Sequence, residues 1–476
     1  MAPLRMGGRG YRKLRGLYAA LKAAYRNAGG VRPLLNKAVA VWRSQGAEAL
    51  LRRAFGLAPR ASSGAEPLPG TAARARNARA ASGSPLFGAA TLPEPAPPTI
   101  LFVSHEASRT GAPILLIEVA QLLKETLGLR CMFLLRTGGE LERAFRAIGP
   151  TLVLGDPNRI NAATLRELAR QNIGLVYSNT ATNGLVQRDL ERLNRPILCH
   201  MHELGYSVER HFGAENLKAV LATTDLFLAG SGAVAHYLRE VRRVPAERLA
   251  VAYPFVKLAD TLARARARPR RSALRLPADG IVIGACGTIG WRKGTDLFLQ
   301  LAQQTLRRGT VPMHFVWVGG PLTTAEFAQL HHDAVQMGIR DRLIFPGAVD
   351  DHIPYFARFD IFVLTSREDP FPLVALDAAS LGIPVVCFDK AGGTPELVEA
   401  DAGVIVPYMD IEGMTDAVIG LVGDDTRRRT LGEAAAAKVR ARYDVDAAGR
   451  HIAEMVRARF VSETPGSLPR HGGSTA

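Results

Sequence analysis

The chain has 476 residues, 47% of them hydrophobic, and a formal net charge of +16. Such a length predicts two α/β domains plus an appendage, and the ordinary apolar share allows large cores. No stretch of 18 uncharged apolar residues occurs, so no transmembrane helix is expected.

The charge is unevenly placed. Residues 1–95 hold 16 Lys and Arg against 3 Asp and Glu, whereas the remaining 381 residues hold 44 against 41. The basic character belongs to the leader. Cys131, Cys199, Cys286 and Cys387 are far apart, lie in apolar runs and show no zinc-ligand spacing. Core thiols in a reducing, cytoplasmic compartment are expected.

In residues 1–57, Tyr11, Leu14, Tyr18, Leu21 and Tyr25 recur at steps of three and four, and Leu35, Ala38, Trp42, Leu51 and Phe55 continue the theme. Basic residues take the other faces, and Lys22 and Arg26 interrupt any signal-peptide core. These basic amphipathic helices suit an anionic membrane surface, placing the protein peripherally on its inner face. Helices packed on the protein's own body are the alternative. Nucleic acid is not expected as a partner, because no aromatic-and-basic module follows. Residues 58–98, rich in Ala, Pro, Ser, Gly and Arg, read as a flexible linker.

From residue 99 strand and helix signals alternate. Apolar runs at 100–103, 131–135, 152–154, 175–178, 197–200 and 226–229 predict strands, with helices between them, and define a first Rossmann-like domain over 99–257. A second alternation, with strands at 281–286, 314–318, 343–345, 361–364 and 384–388, predicts another over 278–445. A helix over 446–460 is expected to pack back on the first domain, ahead of a tail at 461–476. The fold class is α/β: two Rossmann-like domains facing each other across a cleft, with a basic helical leader.

Three stretches carry chemistry. Gly287-Thr288-Ile289-Gly290-Trp291-Arg292-Lys293-Gly294 lies between a strand and a helix. A helix N-terminus disfavours cations, so Arg292 and Lys293 there call for an anion such as a diphosphate. The glycines admit close backbone approach, and Gly319 in the next such turn is a weaker sign of the same kind. The Lys-[Ser/Thr] ending of a P-loop is missing. The second stretch, residues 366–396, has two strand-to-helix turns. It holds Glu368, Asp369 and Asp377, then Gly392, Gly393 and Glu396. Carboxylates there can accept from sugar hydroxyls, and helix N-termini can hold phosphate. The third, Cys199-His200-Met201-His202-Glu203, ends a strand and brings His202 to the cleft; a metal there lacks an evident third ligand.

At these residues, over roughly 99–460, the chain resembles the retaining GT-B glycosyltransferases, family 4 (group 1) in particular. That family carries two glutamates separated by seven residues; the matching register here is Asp369 and Asp377, one methylene shorter. The resemblance implies that Asp369 contacts donor-sugar hydroxyls and Asp377 the nucleotide ribose. It matches Gly287, Lys293 and Gly294 to the phosphate loop, with Thr288 where an arginine is usual and Arg292 supplying that cation. His202 matches the cleft histidine, and Thr110, Gly111 and Ala112 match the first, acceptor-side loop. It adds Phe371, Pro372 and Leu373 to the donor-binding set, with Gly392, Gly393 and Glu396 in the following loop.

The implied reaction moves a sugar from a nucleoside diphosphate sugar to a hydroxyl of a glycan or lipid-linked acceptor, with retention and without a metal or cofactor. His202, Arg292, Lys293 and Asp369 would be the catalytic set, and Tyr253–Val256 the hinge of a closing cleft. A bacterial polysaccharide or lipid-linked glycan is the product class suggested. The alternatives are a hydrolysing nucleotide-sugar epimerase, a non-catalytic sugar-nucleotide binder and a membrane-surface adaptor.

Overall fold

The computed structural model describes residues 98–461. The expectations for the leader at 1–57, the linker before residue 98 and the tail beyond 461 fall outside the described residues.

Two open parallel sheets form the body. The first contains β1 (Thr99–Ser104), β2 (Arg130–Leu135), β3 (Thr151–Val153), β4 (Ile173–Ser178), β5 (Ile197–Met201), β6 (Leu226–Ala229) and β7 (Leu249–Val251), in the order β3-β2-β1-β4-β5-β6-β7. The second contains β8 (Ile281–Cys286), β9 (Met313–Val318), β10 (Leu343–Gly347), β11 (Ile361–Leu364), β12 (Val385–Phe388) and β13 (Gly403–Val406), in the order β10-β9-β8-β11-β12-β13. The central strands are continuous apolar runs because helices cover both of their faces. Ile100, Leu101, Phe102 and Val103 of β1 are all fully buried, alternating between the cores on the two sides of the first sheet. All four cysteines are buried free thiols.

Several boundaries differ from the sequence reading, for local reasons. Sequence alone puts Pro372 in the first turn of a helix, but it is the extended N-cap of Leu373–Ser380. The helix expected over 234–241 is α-helical only over Gly232–His236, and Tyr237–Val241 widens into a π turn. Asp410 caps Gly413 N–H and starts a helix at Ile411, three residues before the expected start. Helices Gly205–His211 and Ala214–Thr223 have no counterpart in the sequence reading.

The chain passes between the lobes twice, side by side. Val256 N–H donates to Tyr443 O at 3.0 Å, and Val445 N–H donates to Val256 O at 3.1 Å. The last helix, Arg450–Val461, then returns to the first lobe, burying Ile452, Ala453 and Val456 in the same core as Leu115, Leu116 and Val119. Among the described residues no helix is long and apolar enough to cross a membrane.

Candidate active site

Strand order reverses between β1 and β4 in the first sheet and between β8 and β11 in the second. Crevices at such points are where open α/β sheets take ligands. The loops that leave those four strands carry most of the residues singled out above.

In the second lobe, Lys293 Nζ lies 2.5 Å from Asp369 Oδ2, and Arg292 Nη1 lies 3.6 Å from Asp369 Oδ1. Ser366 Oγ donates to the same carboxylate at 3.1 Å. Asp369 is 5% exposed. Burial pushes its carboxyl up, but the Lys293 and Arg292 charges outweigh that, and the net result lies below the ordinary range. Arg292 Nη1 also donates to Glu368 O at 2.8 Å, tying the two loops together. Arg367 pairs with both oxygens of Asp296 and lies over the Trp291 ring at 5.0 Å.

Glycine is required where these loops meet. Gly294 has φ +68°, and a Cβ there would lie 1.9 Å from Thr365 O. Gly294→Ala should therefore cost about 3 kcal/mol, from the strained backbone and the overlap together; a denaturant midpoint equal to wild type would refute this packing. At Gly392, a Cβ would lie 1.8 Å from Asp369 O. Gly393 sits against Phe371 and Ser231, and Gly319 against Gly287, whose N–H donates to Val318 O. Thr288 is exposed. Phe371 packs on Tyr253 and Tyr443 beside the interlobe crossing, at 5.5 and 5.2 Å.

Asp377 is apart from the cations. It accepts from Thr261 Oγ1 at 3.5 Å and faces His352 Nε2 at 2.7 Å. The sequence reading names neither partner.

Two carboxylates of the second lobe reach helix N-termini of the first. Glu368 accepts from Tyr206 N–H at 2.8 Å, Ser207 N–H at 2.9 Å and Ser207 Oγ at 2.5 Å. Glu396 accepts from Gly232 N–H at 2.9 Å, Ala233 N–H at 3.0 Å and the Tyr253 hydroxyl at 2.8 Å. Each anion sits where backbone N–H groups lack intrahelical partners. The Trp291 ring lies against Tyr206 at 4.7 Å, and Arg109 pairs with Asp350 at 2.6 Å. All of these bridge the cleft.

On the first-lobe side, Asn179 holds His202 in place. Its Nδ2 donates to Ala112 O at 2.7 Å, so its Oδ1 must accept from His202 Nε2–H at 3.0 Å. His202 Nδ1 then carries the lone pair, next to Gly230. Burial, with the nearby His200 and His105, holds this imidazole well below its usual range and therefore neutral. Thr110 is the N-cap of the helix Gly111–Leu127, and Gly111 approaches Leu373 of the other lobe.

In the sequence, Glu203 stands out only as a metal ligand. Its carboxyl instead accepts from the Thr180 hydroxyl, from Ala181 N–H at 3.2 Å and from His202 N–H at 3.1 Å. Burial raises it to about 7, although these hydrogen bonds and the Arg292 charge from the other lobe act the opposite way. The signal available in sequence is an acid two residues past a buried strand. Among the described residues no cluster of three or more His, Cys, Asp or Glu could hold a metal.

Two parallel-sheet lobes that meet through these loops form the GT-B fold of glycosyltransferases. The structure is similar to that of Anabaena Alr3699/HepE in complex with UDP, with a TM-score of 0.64 and 22% identity, covering 76% of this chain and 100% of that one. It is also similar to sucrose-phosphate synthase from Thermosynechococcus elongatus, with a TM-score of 0.63 and 21% identity, covering 77% and 100%. The second lobe carries the more specific match: residues 280–424 fit the family described as Glycosyl transferases group 1. Among curated proteins, the chain is 30% identical over 171 residues to a lipopolysaccharide core biosynthesis mannosyltransferase of Rhizobium leguminosarum bv. viciae, covering 35% of this chain and 47% of that protein. It is 28% identical over 211 residues to a D-inositol 3-phosphate glycosyltransferase of Corynebacterium urealyticum, covering 43% and 50%. The chain thus spans about half the length of the curated relatives it matches.

Proposed function

We propose that this protein is a retaining glycosyltransferase that moves a sugar from a nucleoside diphosphate sugar to an acceptor hydroxyl in the assembly of a bacterial polysaccharide or lipid-linked glycan. The observation that carries this reading is the convergence of Lys293 and Arg292 on Asp369 at the switch point of the second sheet. A cation pair with a single buried carboxylate between them is the electrostatic complement of a diphosphate beside sugar hydroxyls.

In the reaction, the bond between the anomeric carbon and the diphosphate oxygen breaks, and charge grows on that oxygen. Lys293, Arg292 and the N-terminus of the helix Thr295–Arg308 stabilise that charge without a metal. Asp369, freed from full pairing when the diphosphate arrives, accepts hydroxyls of the donor sugar. The acceptor hydroxyl attacks from the face the leaving group departs, near neutral His202, and its proton passes to the departing diphosphate oxygen. Asp377, held by His352 apart from the cations, suits the ribose.

A panel of nucleoside diphosphate sugars, scored by thermal shift, tests the donor assignment. A donor present at 100 times its dissociation constant should add about 2.7 kcal/mol of stability. Absence of stabilisation by every member would reject it. Release of free nucleotide without an acceptor would instead indicate the hydrolysing epimerase.

A further inference from the structure

A cavity of about 270 Å³ in the first lobe is left over by the donor chemistry. It is lined by His105, Arg136, Asn158, Thr182, His211 and Asn216, with Leu185 and Phe212 forming an apolar side. These residues come from the loops that leave β1, β2, β3 and β4 and from the region of the two helices after β5. The cavity therefore belongs to the same sheet edge as His202. Its volume is just below the usual range of ligand sites, about 300–1,000 Å³, with room for one sugar-sized ring rather than a polymer.

The charge in this cavity is one-sided. Arg136 is cationic, His211 can be, burial disfavours the charged form of His105, and no lining side chain is anionic. The Arg136 guanidinium is held by Pro157 O at 2.6 Å, Asn158 Oδ1 at 2.8 Å and Thr182 O, all of them neutral. Arg367, Arg264 and Arg308 each face a carboxylate, whereas Arg136 makes no ion pair among the described residues. A half-buried guanidinium without a counter-ion is a costly arrangement, and three acceptors leave two of its five N–H groups for a ligand. Burial alone lowers this guanidinium. Glu106, beside His105, is engaged with that imidazole at 3.4 Å and with the Ser108 hydroxyl, and Asp156 accepts from Asn158 N–H at 2.9 Å. His105 keeps its Nδ1 buried and without a hydrogen-bond partner.

We infer that this cavity binds the oxyanion of a small polyhydroxylated acceptor, with Arg136 as its partner and His105 and His211 beside it. The inference rests on the transferase reading and names the class of acceptor: a sugar or polyol that carries a phosphate or a carboxylate. The oxyanion would anchor one end of the acceptor while a hydroxyl at the other end reaches the donor.

Glucose 6-phosphate, glucuronate and glucose serve as probes, titrated calorimetrically into the full chain and into its Arg136→Gln, Arg136→Lys and Lys293→Ala variants. At least one of the two anions should bind wild type at least tenfold more tightly than glucose does. That affinity should fall at least tenfold in Arg136→Gln, fall less in Arg136→Lys and persist in Lys293→Ala. The tighter of the two anions decides between phosphate and carboxylate. Equal binding of all three probes, no binding at millimolar concentration, or an affinity indifferent to Arg136→Gln would overturn the inference.

Because Arg136 also ties Pro157, Asn158 and Thr182 together, its variants could misfold. A second measurement uses wild type alone. The tighter anion should move the NMR ring signals of His105 and His211 and leave those of His331 and His332, in the second lobe, in place. Stationary His105 and His211 signals would overturn the inference as well. The donor reading is followed separately in the same samples, as stabilisation by nucleotide sugars, which Arg136→Gln should leave intact. Loss of that stabilisation in wild type would count against the transferase reading and not against the anion site.

Discussion

Lys293→Ala should lower turnover by about two orders of magnitude or more, the usual effect of removing one preorganised charge donor at a developing oxyanion. Lys293 is close to Asp369 in a nearly closed setting, with side-chain exposures of 12% and 7%. Its loss leaves a buried carboxylate with only the more distant Arg292 guanidinium and the Ser366 hydroxyl as partners. The ligand-free protein should therefore also become less stable, by about 3 kcal/mol. The two effects separate experimentally. Turnover is measured well below the variant's melting temperature, and urea denaturation gives the stability. Asp369→Asn combined with Lys293→Ala should recover much of the stability and none of the activity, because the uncompensated charge is gone and the diphosphate still lacks its cation. Wild-type turnover in Lys293→Ala would remove the basis of the donor assignment.

The second large effect concerns Glu203. In the folded chain its carboxyl titrates at about 7, whereas its ordinary value is 4.5. Below pH about 4 both the folded and the unfolded chain keep the proton, so the group makes no difference. As the pH rises the unfolded chain ionises first, and folding loses stability until the folded carboxyl also ionises near pH 7. The accumulated loss is about 3 kcal/mol, since each tenfold difference in proton affinity between the two states is worth about 1.4 kcal/mol. Glu203→Gln keeps an acceptor for the Ala181 and His202 N–H groups and cannot ionise. Relative to that variant, wild type should lose about 3 kcal/mol between about pH 4.5 and 8 in urea denaturation. Parallel stability profiles would show that the Glu203 carboxyl is not held in a desolvated position.

Asp369 has the opposite sign. Its carboxyl is held below the ordinary range in the folded chain, so its contribution is present above the unfolded value and disappears as the pH falls through the folded one. Together the two acids place opposing slopes on the acid side of the stability curve, one on each wall of the cleft.

The cation pair is legible because a strand, a glycine-bearing turn and a helix start can all be read locally, and charges placed against a helix dipole stand out. Asp369 is legible because it too lies in a strand-to-helix turn, eight residues before Asp377, although an acid there favours the helix dipole. The cross-lobe roles of Glu368 and Glu396 are not. Both acids occur in turns that also suit ligand binding, and nothing within a few residues of either indicates Ser207 or Gly232 as its partner. Asp377 can be placed by its spacing from Asp369, but its partners His352 and Thr261 are 25 and 116 residues away. Glu203 misleads because adjacent histidines suggest ligands, whereas its surroundings depend on Thr180 and Ala181 from the end of the neighbouring strand. The cavity around Arg136 has no signature at all, being assembled from loops that separate strands and helices of ordinary pattern.

What the sequence determined by itself is the succession of elements. Apolar runs of four to six residues and helical periodicity arise from interactions within a few residues, so strands, helices and their glycine-marked turns can be read along the chain. The order of strands in each sheet had to come from the tertiary structure. The buried strands are chemically alike, and right-handed crossovers permit several neighbour choices. That order places β1 beside β4 and β8 beside β11, and so decides which loops face one another and which charges meet.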